Sequence, residues 1–223
     1  SVHLPGEALA ELRAVIAADP ADAYAYALMG DILRKNRFGQ LRGAGWQRSE
    51  AIAAALEAAE LDEQYKKNLV LAANDAESGD EGVRLGDGAD LARAADIWAT
   101  VEPETIAEFG DPNLINNPLL VLWYLERYDA LAAAVAKQGA DAPRIGKLML
   151  AWRHGGIAGV IEELRKNAAA PNAERAQELK SIFGALVGRE SYTNLVTLAD
   201  AAPGLGVGDD PNLKVVGTTS RTA

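Results

Sequence analysis

Apolar residues near the start of the chain recur at the spacing of an α-helix. Leu12 and Val15 lie on one helical face, and Met29 and Leu33 lie on another. Between them, Asp19-Pro20 ends one helix and Asp22 can cap the next. The pattern predicts two packed helices with these four apolar side chains buried.

The same kind of pattern continues along the chain. After Phe109, three stretches each predict two helices, and they end at Pro143, Pro171 and Pro203. No run of alternating β-branched residues with hairpin turns predicts a sheet. The predicted fold class is all-α, with an irregular tail or cap over residues 204–223.

Residues 8–63 resemble the tetratricopeptide repeat (TPR), a helical hairpin of about 34 residues. The matching positions are Tyr26, Met29, Gly30 and Leu33 in a first helix, and Ala8, Leu12, Val15 and Pro20 in a preceding second helix. The resemblance implies a right-handed α-solenoid of about five TPR-like hairpins within one domain, residues 1–203. It is clear over residues 8–63 and degenerate after that.

One hairpin carries an unexpectedly long connection. Its close-packing residues Gly30 and Ala51 are 21 positions apart, whereas the family places them about 12 apart. We therefore expect about nine additional residues between the two helices. The segment from 34 to 48 contains five basic residues and no acid.

The neighbouring segment has the opposite charge. Residues 74–108 contain ten acids and two bases, and residues 75–90 form a glycine-rich predicted loop. The basic segment then has two interpretations: it pairs with this acidic segment, or it binds a partner. Asp80, Glu81, Asp87 and Asp90 do not match the EF-hand spacing. Two interpretations stay open: these carboxylates weakly bind a cation such as calcium, or the segment is a solvated loop in which Asp90 caps a helix.

Arginine beside exposed aromatic residues is a common composition for a binding surface. In TPR proteins the first helix of each hairpin lines a concave groove. Because Tyr26 lies in such a first helix, other residues of the same helix are also predicted to contact a partner. The predicted partner-binding residues are Tyr24, Asp31, Arg34, Arg37, Phe38, Arg42, Trp46 and Arg48.

Composition narrows the possible functions. The absence of cysteine excludes disulfides and thiolate chemistry, and no residue set identifies a catalytic, metal or cofactor site. His154 lies in a predicted turn, where surface residues are usual. The sequence pI of about 4.8 argues against nucleic acid, and the longest apolar run, Leu119–Leu125, is too short to span a membrane.

The TPR resemblance implies a non-enzymatic module that binds or scaffolds a protein or peptide. Two alternatives stay open: a helical accessory domain of an enzyme that uses the carboxylates of residues 74–108, and a self-assembling structural protein. A homo-oligomer would form through the N-terminal half-repeat. The alanine-rich composition favours a bacterial source, in the cytoplasm or the periplasm.

Overall fold

The computed structural model describes residues 5–111, 113–187 and 189–205. Within these ranges the chain forms eleven α-helices and no strand, which confirms the all-α prediction. The chain divides into two compact units, residues 1–125 and 126–223, and each is described by itself. The helices are α1 (Pro5–Ala18), α2 (Ala23–Leu33), α3 (Arg48–Leu61), α4 (Lys67–Ala76), α5 (Leu91–Trp98), α6 (Pro103–Ala107) and α7 (Asn117–Tyr124) in the first unit, and α8 (Tyr128–Gln138), α9 (Arg144–Lys166), α10 (Asn172–Leu186) and α11 (Tyr192–Asp200) in the second.

The helix boundaries follow local signals. Asp22 caps α2 by accepting a hydrogen bond from the Ala25 backbone N–H at 2.9 Å, and Asp90 caps α5 by accepting one from Arg93 at 3.0 Å. Both caps confirm the sequence predictions. The helix α1 ends at Ala18, just before Asp19-Pro20, because proline cannot continue a helix.

In the first unit, each of the helices α1 to α4 packs against the next one along the chain. Small residues allow the helices to approach closely: Ala51, Ala54, Ala55 and Ala58 of α3 and Ala72, Ala73 and Ala76 of α4 are buried. Gly30 of α2 faces α3, and a Cβ added there would lie 3.5 Å from the Ala51 carbonyl oxygen, an ordinary contact. The close approach predicted at Gly30 is present, but it does not require glycine.

The burial predicted for α1 and α2 holds only in part. Leu33 is buried, and Leu12 and Met29 are half-buried. Val15 was also expected in the core, yet it is 43% exposed.

In the second unit, α9 is two helical arms rather than one straight rod. Gly156 has φ 57° and ψ −148°, which no helix allows. The Arg144 guanidinium donates to the Glu163 carboxylate at 2.7 Å, although 19 residues of continuous helix would separate them by about 28 Å. The arms therefore fold back on each other at a turn beside His154, as the sequence predicts for that histidine.

Several predictions fall at the limits of the description. A single domain over residues 1–203 stays a prediction. Of the predicted tail, Gly204 and Leu205 belong to a short 3-10 turn, Pro203–Leu205, and residues 206–223 lie outside the described residues. In the described part of the chain, no helix combines the length and the apolar character that crossing a membrane requires.

Candidate functional site: two stacked loops

Two 14-residue loops connect helices in the first unit. Loop 1, residues 34–47, joins α2 to α3, and loop 2, residues 77–90, joins α4 to α5. Every position in loop 2 lies 43 residues after its counterpart in loop 1, and α1 and α3 have bounds that differ by the same 43 residues. The long connection is therefore not an addition to one hairpin, as the sequence suggested, but part of a 43-residue unit that occurs twice.

The two loops have the same backbone fold. Each begins with an isolated antiparallel bridge, Lys35 with Leu41 and Ser78 with Arg84. Six backbone hydrogen bonds occur at matched positions, and two of them in each loop form this bridge. From N–H to carbonyl they are Asn36–Gln40, Gly39–Asn36, Arg42–Arg34, Gly43–Gln40, Trp46–Gly43 and Gln47–Leu33 in loop 1, and Gly79–Val83, Gly82–Gly79, Leu85–Glu77, Gly86–Val83, Ala89–Gly86 and Asp90–Ala76 in loop 2.

A glycine pattern produces this backbone. Both loops contain glycines spaced G-x-x-x-G-x-G, at 39, 43 and 45 and at 82, 86 and 88. The first and third glycine of each set have φ between 74° and 81°, which favours glycine. This pattern is the sequence signal of the duplication, and its 43-residue period differs from the 34-residue period of the TPR.

A buried carboxylate joins loop 1 to the following helix. Asp75 of α4 is fully buried, and its two oxygens accept from Arg34 Nε at 2.6 Å and from Arg42 Nε at 2.8 Å. Arg34 also donates to Asp31 at 2.7 Å. Burying the charge of Asp75 is costly unless that charge is paired, so the two guanidinium groups together offset this cost.

A third arginine joins the start of α3 to loop 2. Arg48 donates to the Ser78 carbonyl oxygen at 2.7 Å and lies 3.4 Å from the Asp80 carboxylate. Arg34, Arg42 and Arg48 thus pair within the chain, as one of the two interpretations of the basic segment expects. Trp46 is also internal, since it is buried with Leu9, Leu33 and Ala51.

The loops also stack through their backbones. A Cβ added to Gly82 would lie 2.1 Å from the carbonyl oxygen of Arg42. Only a residue without a side chain fits there, and its φ of 74° favours glycine as well. Gly82 therefore fixes the distance between loop 1 and loop 2.

Loop 2 contains its own buried acid. Glu77 is fully buried, and it accepts from Trp98 Nε1 and from Arg84 Nε, each at 2.5 Å. Burial raises the pKa of Glu77 above its ordinary value of about 4.5, and the charge and hydrogen bond of Arg84 oppose the rise only in part. This pairing could not be predicted from local sequence patterns, because 21 residues separate Glu77 from Trp98.

The tips of the two loops expose apolar side chains. Phe38 is 71% exposed, Leu41 61% and Val83 60%. The Arg37 guanidinium lies 4.6 Å from the centre of the Phe38 ring, in cation–π contact. Lys35 is exposed beside them. We call Lys35, Arg37, Phe38, Leu41 and Val83 the tip surface.

The predicted partner-binding residues thus separate into three groups. Arg37 and Phe38 lie on the tip surface. Tyr24 and the Asp31 side chain are about 60% exposed on α2, seven residues apart and so on one helical face. Arg34, Arg42, Trp46 and Arg48 are engaged within the first unit.

Two further observations concern metal ligands and His154. In the described part of the chain, no three His, Asp or Glu side chains gather as metal ligands. In the second unit, His154 lines an open cleft of about 450 Å³ with Tyr128 and Arg153, whose guanidinium lies 4.9 Å from the centre of the Tyr128 ring.

Comparisons with known proteins give no relative. No protein-family model, no curated protein and no solved structure matches the chain.

The stacking of the loops can be tested with Gly82→Ala and its matched control, Gly39→Ala. Both glycines have φ near 75°, so each substitution costs about 1–2 kcal/mol of backbone strain. Only Gly82 faces the Arg42 carbonyl oxygen, so Gly82→Ala should cost at least about 2 kcal/mol more. Urea unfolding measures both losses, and equal losses would contradict the stacking.

The buried Glu77 predicts a pH dependence of stability. Its pKa is higher in the folded chain than in the unfolded chain, so the unfolded chain releases the proton first as pH rises. Relative to Glu77→Gln, the wild type should lose up to about 1.4 kcal/mol per pH unit between the two pKa values. Measuring the free energy of unfolding of both proteins from pH 4 to pH 8 checks this. A wild type that becomes more stable relative to Glu77→Gln as the pH rises would contradict the prediction.

Proposed function

We propose that the chain is a non-enzymatic module that binds a protein or peptide, built of TPR-like helical hairpins. The arrangement of about five such hairpins as a right-handed α-solenoid is part of this proposal. Its support is the order of packing from α1 to α5, where consecutive helices pack against one another. Stacked helical units of this kind form extended binding surfaces.

The tip surface is the observation that carries the proposal. Phe38, Leu41 and Val83 are exposed together with Arg37, and aromatic and arginine side chains contribute most of the energy of many interfaces. The loop backbones below them are held by matched hydrogen bonds. A surface that is already ordered loses less conformational entropy when it binds.

The helix α2 offers a second set of contacts. Tyr24 and Asp31 are exposed on one face of it, and in TPR proteins the first helices line the concave groove. We keep both residues in the proposed binding surface. Arg34 is removed from it, because its side chain is buried and donates to Asp75.

The buried carboxylates of residues 74–108 favour a structural role over a catalytic one. Asp75 accepts from two arginines, and Glu77 accepts from Trp98 and Arg84. A general base needs an oxygen within hydrogen-bond reach of a substrate, and these oxygens already contact protein donors. This supports a binding module over an enzyme accessory domain.

Peptide display tests the proposal without a known partner. Random dodecapeptides are selected on the immobilised chain and then measured against three variants. Replacing Phe38, Leu41 and Val83 by serine should weaken the selected peptides at least tenfold, because each loses apolar contact area. Tyr24→Ala should weaken the peptides that reach α2.

The matched control replaces Val187 and Tyr192, which are similarly exposed in the second unit, by serine. It should leave binding unchanged. Selected peptides that bind the tip variant and the control variant equally well would contradict the proposed surface.

A further inference from the structure

The two loops present equivalent faces, and among the described residues only the face of loop 2 is occupied by another segment of the chain. Gly39 and Gly82 have φ 77° and 74°, and each donates its backbone N–H to the residue three positions earlier. The place of a Cβ on Gly82 lies 2.1 Å from the Arg42 carbonyl oxygen. At Gly39, apart from its chain neighbours, no described atom lies within 4 Å of the same place. Loop 1 therefore presents an open copy of the face that loop 2 uses to receive a chain segment.

The charges around the filled face match its occupant. Asp75 accepts from Arg42, and Asp80 and the Ser78 carbonyl lie against Arg48. An acidic face thus receives a basic segment. The contacts involve a backbone carbonyl and two side chains six residues apart, so a short segment of chain is sufficient to fill it.

The charges around the open face are reversed. The counterparts of Ser78 and Asp80, 43 positions earlier, are Lys35 and Arg37, and both are exposed. The counterpart of Asp75 is Ile32, which is half-buried. A segment that fills this face in the same way needs an apolar side chain toward Ile32 and an acidic side chain toward Lys35 and Arg37.

We propose that the face of loop 1 around Gly39, with Ile32, Lys35 and Arg37, is a docking site for an acidic peptide segment of a partner protein. The proposal rests on the proposed binding function and names the chemistry of its ligand. The partner segment carries an apolar residue followed, six positions later, by an acid. It occupies on loop 1 the place that loop 1 itself occupies on loop 2.

A peptide derived from the chain serves as the probe. It has the sequence of residues 40–48 with the substitutions Arg42→Leu and Arg48→Glu, and the unchanged 40–48 peptide is the control ligand. Each is titrated into the ¹⁵N-labelled full chain, and the amide resonances of Arg37, Phe38 and Gly39 are followed. We expect saturable shifts confined to loop 1 and at least tenfold weaker binding of the unchanged peptide.

Charge reversal on the protein provides the decisive comparison. The double variant Lys35→Glu and Arg37→Glu should bind the unchanged basic peptide better than the acidic one. The double variant Lys137→Glu and Arg165→Glu makes the same change of net charge at exposed residues of the second unit. It should keep the wild-type preference, because local rather than total charge decides binding.

Several outcomes would overturn the proposal. One is an acidic peptide that shifts no loop 1 resonance, and another is a preference that ignores the reversal at Lys35 and Arg37. An octathymidylate that shifts these resonances where the peptide does not would show a phosphate-binding surface instead. Displayed peptides that depend on Phe38 and Leu41 but carry no acid would leave the proposed function standing and remove this inference alone.

Discussion

The carboxylate of Asp75 is the constraint on which the arrangement of the first unit depends. It has no contact with water and accepts one hydrogen bond from Arg34 and one from Arg42. Arg34 begins loop 1 and Arg42 lies in its middle, so one acid on α4 holds the loop at two points. With the Arg42 backbone fixed, its carbonyl oxygen meets Gly82, and loop 2 takes its place against loop 1.

The energetics of this network explain why the basic residues divide between two roles. Taking a carboxylate and two guanidinium groups out of water costs several kcal/mol per ion, and only close pairing offsets that cost. Arg34, Arg42 and Arg48 are used in this way inside the unit. Lys35 and Arg37 remain exposed, where an ion pair within the chain would contribute little. The stacked loops therefore leave a small basic and apolar surface available to a partner.

The sequence predicted the local features well and the long-range ones poorly. Helical spacing, Asp22 and Asp90 as caps, and the stop at Asp19-Pro20 depend on residues a few positions apart, and these predictions hold. The opposite charges of the two segments made pairing one of two interpretations, but the partner of Arg34 and Arg42 lies 41 and 33 residues away. Which arginines pair and which stay exposed depends on how loop 1 folds back on itself.

The 43-residue duplication has a signal in the sequence, but the 34-residue TPR period does not reveal it. The glycine spacing G-x-x-x-G-x-G occurs in both loops, but their other residues differ in charge at eight of eleven positions. A pattern that specifies backbone conformation can persist while the side chains change from basic to acidic. Arginine beside an aromatic residue predicted Arg37 and Phe38 of the tip surface, whereas Leu41 and Val83 resemble core residues in sequence and are nevertheless exposed.

A double-mutant cycle at Arg42 and Asp75 tests the central claim most directly. The free energy of unfolding is measured for the wild type, Arg42→Met, Asp75→Asn and the double variant. If Asp75 holds loop 1 in place, each single change leaves a buried group without its partner. The two losses should then overlap, with a coupling of at least about 1.5 kcal/mol. Losses that simply add, with a coupling near zero, would contradict the claim that this carboxylate organises the loops.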